Sequence, residues 1–559
     1  MNLKNEIVKS INFDFEGLEN NIQDLIIESI SADKGDYCLP CFSFAKVLKE
    51  NPMVIANKIK DSVATGGIVE KCEVVAGYVN FFLNKEFVAK TILENFSVSN
   101  FNTEEGKGKT VCIDYCSQNL AKYLHIGHLK TLVIGESLAR LYELFGFTVK
   151  RMNFIGDYGT PFGKMIGGMQ RWGSLSEVET KGVDALQDYY VKFNAGEAED
   201  ESLTQVARDI FKKIEDKDPE IYPIYQKIIE ISLKDAEEKF EILGVKFDDF
   251  RGEMYYNDFV PQAIEILTKK QLLKDSQGAK IVDLEDYDMA PAIMIKNDGT
   301  TLYLTRDYAA VIDRYKEYNF DKLLYVTDVA QKLHFQQLIK VVELSDFDFY
   351  KNMEHVPYGR FSLPNGKISS RRGKQAVLVD LLEFVQNKAN EVIKNRTFEI
   401  ENPEDVATKV ARSVLNFNVL KVERIKDCVF DVEKAFSFEG ETSPYMQYTF
   451  TRLESILRKY TETNAVADYS CFDESAFELV KNINDFASIL QSSLNKRDIS
   501  LVVKRVMEMC KTFNKFYTTS KVLDGNNNTT KAKINLVKAL KDTLTVGFYI
   551  CCIDTLKEM

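Results

Sequence analysis

The spacing of apolar positions changes several times along the chain. Residues 1 to about 105 alternate short helical and strand-like runs. They close on Val74–Leu83 (VVAGYVNFFL), whose near-continuous apolar run predicts one buried strand. Gly106-Lys107-Gly108 reads as a linker. Val111–Tyr115 predicts a short strand. The next segment, Gly127 to Phe145, carries Leu129, Leu132, Val133, Ala139, Leu141, Leu144 and Phe145 at helical spacing, with Gly146 placed to cap its end. Thr148–Ile155 predicts a second strand. Strand, helix and strand form a βαβ unit, and the right-handed crossover makes the two strands parallel neighbours. Residues about 173 to 240 are polar and helical in period, an insertion. Strand signals return at Ala279–Leu284, Ala292–Ile295, Thr301–Leu304 and Leu323–Thr327. From about residue 400 onward the period is helical, broken by a loop at Asn526–Asn528. The pattern predicts a small α+β N-terminal domain, an α/β core with insertions and an all-α C-terminal domain.

Composition narrows the classes. At about 150 residues per domain, 559 residues make three to four domains. No apolar stretch approaches the roughly 20 residues of a membrane span. The N-terminal MNLKNEIVKSINFDFEG mixes both charge signs and lacks the apolar centre of a signal peptide. Ten cysteines in this length are too sparse for a disulfide scaffold, so the expected compartment is the cytoplasm. Cys38 and Cys41 have CxxC spacing, but no second CxxC exists. The four histidines are His125, His128, His334 and His355, none nearby. Upstream, Ser31–Tyr37 is polar and lacks strand character, unlike the approach to a redox CxxC. The pair therefore reads as two half-buried thiols, and Cys551 and Cys552 read as core. No metal-ligand set is assigned. The charge count, 72 basic against 84 acidic for a net of −12, argues against a general nucleic-acid coat. It leaves room for a basic face on an acidic body, because the field is local.

Two segments carry candidate chemistry. His125-Ile126-Gly127-His128 lies where a helix follows the first core strand. Two imidazoles three apart share one side of a helix start, beside free backbone N–H groups and the positive dipole end. Gly127 lets a flat ligand approach the backbone. The C-terminal edge of a parallel sheet is where nucleotides bind, so this is an electropositive cradle for a phosphate gaining charge. About 240 residues downstream, Lys367-Ile368-Ser369-Ser370-Arg371-Arg372-Gly373-Lys374 packs four basic residues into eight, bracketed by Gly366 and Gly373. A cationic loop of this kind suits the neutralisation of a leaving pyrophosphate. Taken alone, the first segment also fits two ordinary histidines, and the second a solvated basic loop.

HIGH followed by KISSR resembles the signature pair of class I aminoacyl-tRNA synthetases. The wider texts are similar to the arginyl-tRNA synthetase family: DYCSQNLAKYLHIGHLKT (114–131), NFIGDYGTPFG (153–163), GTTLYLTRD (299–307) and FEGETSPYMQYTFTR (438–452). The resemblance runs nearly end to end. It implies a Rossmann-like parallel-sheet catalytic domain at 106–395, with the helical insertion at about 173–240. It also implies an N-terminal additional domain at 1–105 that touches the tRNA elbow, and an all-helical anticodon-binding bundle at 396–559.

The implied reaction joins L-arginine to ATP, giving arginyl-adenylate and pyrophosphate, and then passes the arginyl group to the terminal ribose of tRNA(Arg). In this family the first step typically needs bound tRNA. By resemblance His125 and His128 steady the α-phosphate, Lys367 the β- and γ-phosphates, and Gly127 and Ser369 complete the ATP site. Ser370 stands at the second lysine of the KMSKS pattern, and Lys122 matches the lysine thought to replace it. Ile368 replaces the usual Met at similar size. Positions matching the arginine pocket are Asn119 for the amino-acid backbone and Glu253, Tyr303, Asp307 and Gln331 for the guanidinium. That cation needs planar acceptors in a fixed fork. Glu253 lies in an acidic loop where a solvated Glu is common, and Asp307 follows the expected strand at Thr301–Leu304. Lys332 departs from the family's usual Asp after the glutamine. ATP enters with Mg2+, no cofactor is permanently bound, and a monomer is expected. Basic stretches at Lys409–Lys426 (five basic, one acidic) and Lys496–Lys515 (six basic, two acidic) read as exposed helices for tRNA, with Tyr445, Tyr448 and Arg452 as candidate contacts.

Two other readings stay open from sequence: a class I synthetase of different specificity, and a catalytically silent synthetase-like binding protein. Small HxGH nucleotidyltransferases share the cradle but not the length. On the main reading the net charge averages unlike regions, basic in KISSRRGK and the C-terminal helices and acidic elsewhere.

Overall fold

A computed structural model describes residues 1–15, 22–29, 32–364, 377–394, 401–462 and 464–557. KISSRRGK, with Lys367 and Ser369, lies outside these residues. Contacts divide the chain into two compact units. One comprises 1–101, 449–491 and 505–546; the other comprises 102–448, 492–504 and 547–559.

The first unit begins with α1 (Leu3–Ser10), α2 (Ile22–Leu25), β1 (Ile27–Glu28), β2 (Tyr37–Pro40), α3 (Phe42–Leu48) and α4 (Pro52–Asp61). β3 (Val69–Val75), β4 (Tyr78–Leu83) and α5 (Lys85–Glu94) follow. The strands form one antiparallel sheet in the order β1-β2-β4-β3. The single strand expected over Val74–Leu83 is therefore a hairpin. Ala76 and Gly77 take left-handed φ of 48° and 81° and reverse the chain where the apolar run gives no break. β2 runs through Cys38 to Pro40 itself; of the described residues in Ser31–Tyr37, read as lacking strand character, only Tyr37 is in the strand, and Ala32–Lys34 is a 3-10 turn. Cys38 and Cys41 are buried in an antiparallel setting, and burial raises both thiol pKa values, that of Cys41 to about 12.

The second unit holds β5 (Thr110–Tyr115), α6 (Gly127–Leu144), β6 (Thr148–Met152), α7 (Thr160–Trp172), α8 (Leu175–Lys181) and α9 (Val183–Glu199). α10 (Ser202–Glu215), α11 (Tyr222–Leu243), α12 (Glu253–Asn257), α13 (Val260–Lys269), β7 (Leu273–Ser276), β8 (Ala279–Val282) and β9 (Ala292–Ile295) continue it. Next come α14 (Tyr303–Tyr318), β10 (Lys322–Val326), α15 (Lys332–Leu344), β11 (Met353–His355), β12 (Phe361–Ser362), α16 (Leu378–Lys394), α17 (Pro403–Leu420), β13 (Cys428–Val429) and α18 (Val432–Ala435). Its main sheet is parallel, in the order β11-β10-β5-β6. β5 is central and buried from Val111 to Tyr115, as a strand covered on both faces must be. The expected βαβ unit is present, though β6 ends at Met152 rather than Ile155. Of the strand expected at Thr301–Leu304, only Thr301 pairs, bridging Ile295 antiparallel, and α14 begins at Tyr303. Leu302 is extended, and the buried positions Leu304, Thr305, Tyr308 and Ala309 then follow helical spacing.

The insertion packs against α7 and the loop at Leu120–Ala121 in one shared core, in which Phe162, Met165, Ile166, Leu186, Tyr189 and Ile228 are buried. Gly163 lets α7 meet α10, because a Cβ there would fall 2.0 Å from the Ala207 carbonyl oxygen. Between β5 and α14, Asp114 accepts a 2.7 Å bond from Arg314, and both side chains are buried.

The remaining helices are α19 (Ser443–Lys459), α20 (Glu474–Lys496), α21 (Ser500–Thr519) and α22 (Asn527–Ile550), so the loop expected at Asn526–Asn528 gives way to helix at Asn527. From Gly547, in the last turn of α22, the chain belongs to the second unit. There Arg412 forks onto Asp554 at 2.7 and 2.8 Å, the Asn416 amide donates to the Cys552 carbonyl at 2.7 Å, and Ser137 donates to that of Ile550. This corrects the reading of Lys409–Lys426 as an exposed basic stretch. Arg412 is spent on Asp554, and Arg424 donates to the carbonyls of Pro357 and Arg497.

Candidate active site

The C-terminal end of β5 runs into strained backbone. Cys116 and Ser117 hold φ of 77° and 48° without being glycine. Neighbours fix them: the Cys116 N–H donates to Thr131 Oγ1 at 3.0 Å and the Ser117 N–H to Asn153 Oδ1 at 3.1 Å. The chain then pairs with the loop after β6. The Gly156 N–H donates to the Gln118 carbonyl at 2.8 Å, and the Leu120 N–H to that of Gly156 at 3.1 Å. Asn119 Oδ1 accepts the Ala121 N–H at 2.9 Å, and Lys122 stands exposed beyond it.

His125 and His128 flank the start of α6 with ring centroids 3.9 Å apart. The Gly127 N–H donates to His125 Nδ1 and the His125 N–H to His128 Nδ1, both at 3.1 Å. A ring nitrogen that accepts carries no proton, so these bonds leave the N–H on Nε2 of each ring. Burial lowers the pKa of both, that of His128 to about 3, with Lys122 further lowering His125. Both imidazoles are therefore neutral donors at neutral pH. A Cβ on Gly127 would lie 2.8 Å from the His125 ring, so glycine here makes room for the histidine as much as for a ligand. Asn119, Lys122, His125, His128, Gln187 and Lys192 line one cleft of ≈ 1120 Å³.

The candidate guanidinium residues gather elsewhere in the same unit. Glu253 is buried, against the solvated alternative its acidic loop allowed. Its Oε2 accepts from Arg306 Nε at 2.9 Å and pairs with Nη2 at 2.8 Å. Burial pushes the Glu253 pKa up to about 7; Arg306 opposes and the nearby Asp307 charge adds to the rise. The Arg306 guanidinium lies 5.3 Å from the ring centre of Tyr303, which is exposed, and 4.5 Å from that of Tyr158. Asp307 lies in the second turn of α14, not after a strand, and its Oδ2 is 2.7 Å from His334 Nε2. Burial lowers the His334 pKa, but the hydrogen bond and charge of Asp307 outweigh it and raise it overall. Gln331 is exposed at the cap of α15, three residues before His334, with exposed Lys332 beginning the helix.

Arg306 and His334 escaped the sequence reading. The available signals were Tyr303-to-Arg306 spacing on one helix face and the scarcity of histidine. Just after KISSRRGK, Val377 bridges His125, and the Leu378 N–H donates to the Leu124 carbonyl at 2.8 Å. Of the candidate tRNA contacts, Tyr445 is half-buried and Tyr448 exposed on α19. Arg452 donates to Asn514 and lies 4.6 Å from the ring centre of Tyr517. Among the described residues no three His, Cys, Asp or Glu side chains are grouped to hold a metal ion, and no helix is long and apolar enough to cross a membrane.

The chain matches three protein families along its length. Residues 90–432 match "tRNA synthetases class I (R), catalytic domain", 446–559 "DALR anticodon binding domain" and 1–83 "Arginyl tRNA synthetase N terminal domain". The arginine–tRNA ligase of Clostridium beijerinckii is 39% identical over 568 residues, spanning 100% of both chains. That of Halothermothrix orenii is 37% identical over 559 residues, spanning 97% of this chain and 98% of the relative. The arginyl-tRNA synthetase of Thermus thermophilus superposes with a TM-score of 0.80 at 21% identity over 96% of each chain, which shows a shared fold. With family matches at both ends and in the catalytic middle, and relatives aligned over their whole length, the chain belongs to the arginyl-tRNA synthetases and is an ATP-dependent arginine–tRNA ligase.

Proposed function

We propose that the HIGH cleft holds ATP, taken up with Mg2+ as its companion ion, and that the arginine carboxylate attacks the α-phosphorus there. The new C–O–P bond forms as the α–β phosphoanhydride breaks and pyrophosphate leaves. Neutral His125 and His128 donate from Nε2 to the α-phosphate oxygens, where charge builds in the transition state. Lys122 and Lys367 neutralise the departing phosphates, Gly127 and Ser369 line the nucleotide site, and Asn119 holds the arginine backbone. The observation that carries this reading is the convergence of Asn119, Lys122 and both histidines on one cleft at the C-terminal end of β5. The backbone tie between the HIGH loop and the residues following KISSRRGK supports a joint action of the two signatures.

Asp307, with Tyr303 and Gln331, receives the arginine guanidinium, and Glu253 acts beside them through Arg306. The Asp307→Asn variant keeps the shape and removes the charge. Its kcat/KM for arginine in pyrophosphate exchange is expected to fall by about 10- to 100-fold, the worth of a charged hydrogen bond. An unchanged value would remove Asp307 from the pocket. Arginine binding should also strengthen as pH rises through the neutral range. Below its raised pKa His334 carries a proton and offsets Asp307, and below about 7 Glu253 is neutral. Both shifts act with the same sign on a cation. His334→Gln should remove one of the two steps from the pH profile of kcat/KM for arginine.

The N-terminal residues 1–105 meet the tRNA elbow, and the C-terminal helices, with Tyr445, Tyr448 and Arg452, meet the anticodon arm. α21 supports this with exposed Lys504, Lys511 and Lys515. The enzyme acts as a monomer in the cytoplasm. Light scattering on the purified chain, alone and with tRNA(Arg), tests the stoichiometry.

A further inference from the structure

The insertion grips the loop that carries Lys122 from both sides. Gln187 Nε2 on α9 donates to the Ala121 carbonyl at 2.7 Å, one residue before the lysine. The Tyr123 hydroxyl, one residue after it, donates to Asp184 Oδ1 at 2.7 Å on the first turn of the same helix. Leu120 and Ala121 are buried in the insertion's core with Ala185 and Leu186. The side facing the loop after β6 is held separately, through the Leu120–Gly156 bond. Lys122 is thus the exposed residue of a segment whose flanks are fastened to α9.

We propose that Gln187 and Asp184 are positioning residues that aim Lys122 into the cleft, so that the insertion sets the geometry of the activation step. This rests on the reading that Lys122 contacts ATP phosphates. A flexible lysine on an unfastened loop would act as a diffuse charge. One bond on each side of its Cα restricts where the ammonium reaches, which is what electrostatic stabilisation needs. α9 packs in the same core as Leu120 and Ala121, so a ligand that shifts the insertion would shift this lysine.

The test is arginine-dependent ATP–pyrophosphate exchange by the full chain with tRNA(Arg) present, in Gln187→Met, Tyr123→Phe, Lys122→Ala and the doubles with Lys122→Ala. Each single variant at Gln187 or Tyr123 is expected to lower kcat about tenfold while KM for arginine stays within about twofold. In the Lys122→Ala background the same changes should lower kcat by less than about twofold, because residues acting through one group are non-additive. Full single-variant effects that persist in that background would overturn the inference, since they would mean direct substrate contact or general loosening. So would wild-type rates in the singles. A wild-type rate in Lys122→Ala itself overturns the lysine's role, and is distinguishable because it appears in the single variant.

Discussion

The His128→Ala enzyme is expected to lose about 10²–10³-fold in kcat for pyrophosphate exchange, the usual cost of one preorganised donor to a developing oxyanion. The KM values for ATP and arginine should change little, because the interaction strengthens as charge builds rather than when substrate binds. The pH profile sharpens the test. His128 is held neutral by burial, with its pKa down at about 3, so its titration contributes no acid limb near pH 6. A limb near pH 6 that vanished in the variant would contradict the neutral-donor role. His128→Asn, which keeps a donor, should retain more activity than His128→Ala.

The second large effect is on stability. Asp114→Ala leaves the Arg314 guanidinium buried without its partner, at a cost of about 3–5 kcal/mol. The double variant Asp114→Leu with Arg314→Met should recover much of that, because removing both charges also removes the desolvation penalty. The single tryptophan, Trp172 on α7, lies in the same unit and reports its urea unfolding by fluorescence. A midpoint unmoved in Asp114→Ala would show that Arg314 is satisfied by other means. The pair joins the central strand, which leads to the HIGH loop, to the helix that carries Asp307, so weakened activity should accompany the loss.

The catalytic strand–helix–strand was legible in sequence because its signals are local: a short β run, a helical stripe, and two histidines at a helix start. The hairpin at Ala76-Gly77 was not, because its turn lacks the Asn or Asp that usually announces two left-handed residues. The Thr301–Leu304 segment misled in its second half, because Tyr303 and Leu304, β-favouring by type, open a helix whose burial, not propensity, decides its form. Glu253 looked solvated beside Asp248 and Asp249, since nothing local shows that Arg306, far along the chain, folds over it. Arg412 and Arg424 looked like RNA contacts for the same reason: counting charges does not reveal which are already engaged by partners distant in sequence.

The residues from Gly547 onward belong to the catalytic unit, where Arg412, Asn416 and Ser137 hold them. That unit therefore cannot close during translation when its own sheet and α17 have left the ribosome. It must wait until α19 to α22 are made, keeping the faces of α6 and α17 that receive residues 549–554 uncovered in the interval. Nascent chains paused between these points are the form in which this protein most needs a chaperone.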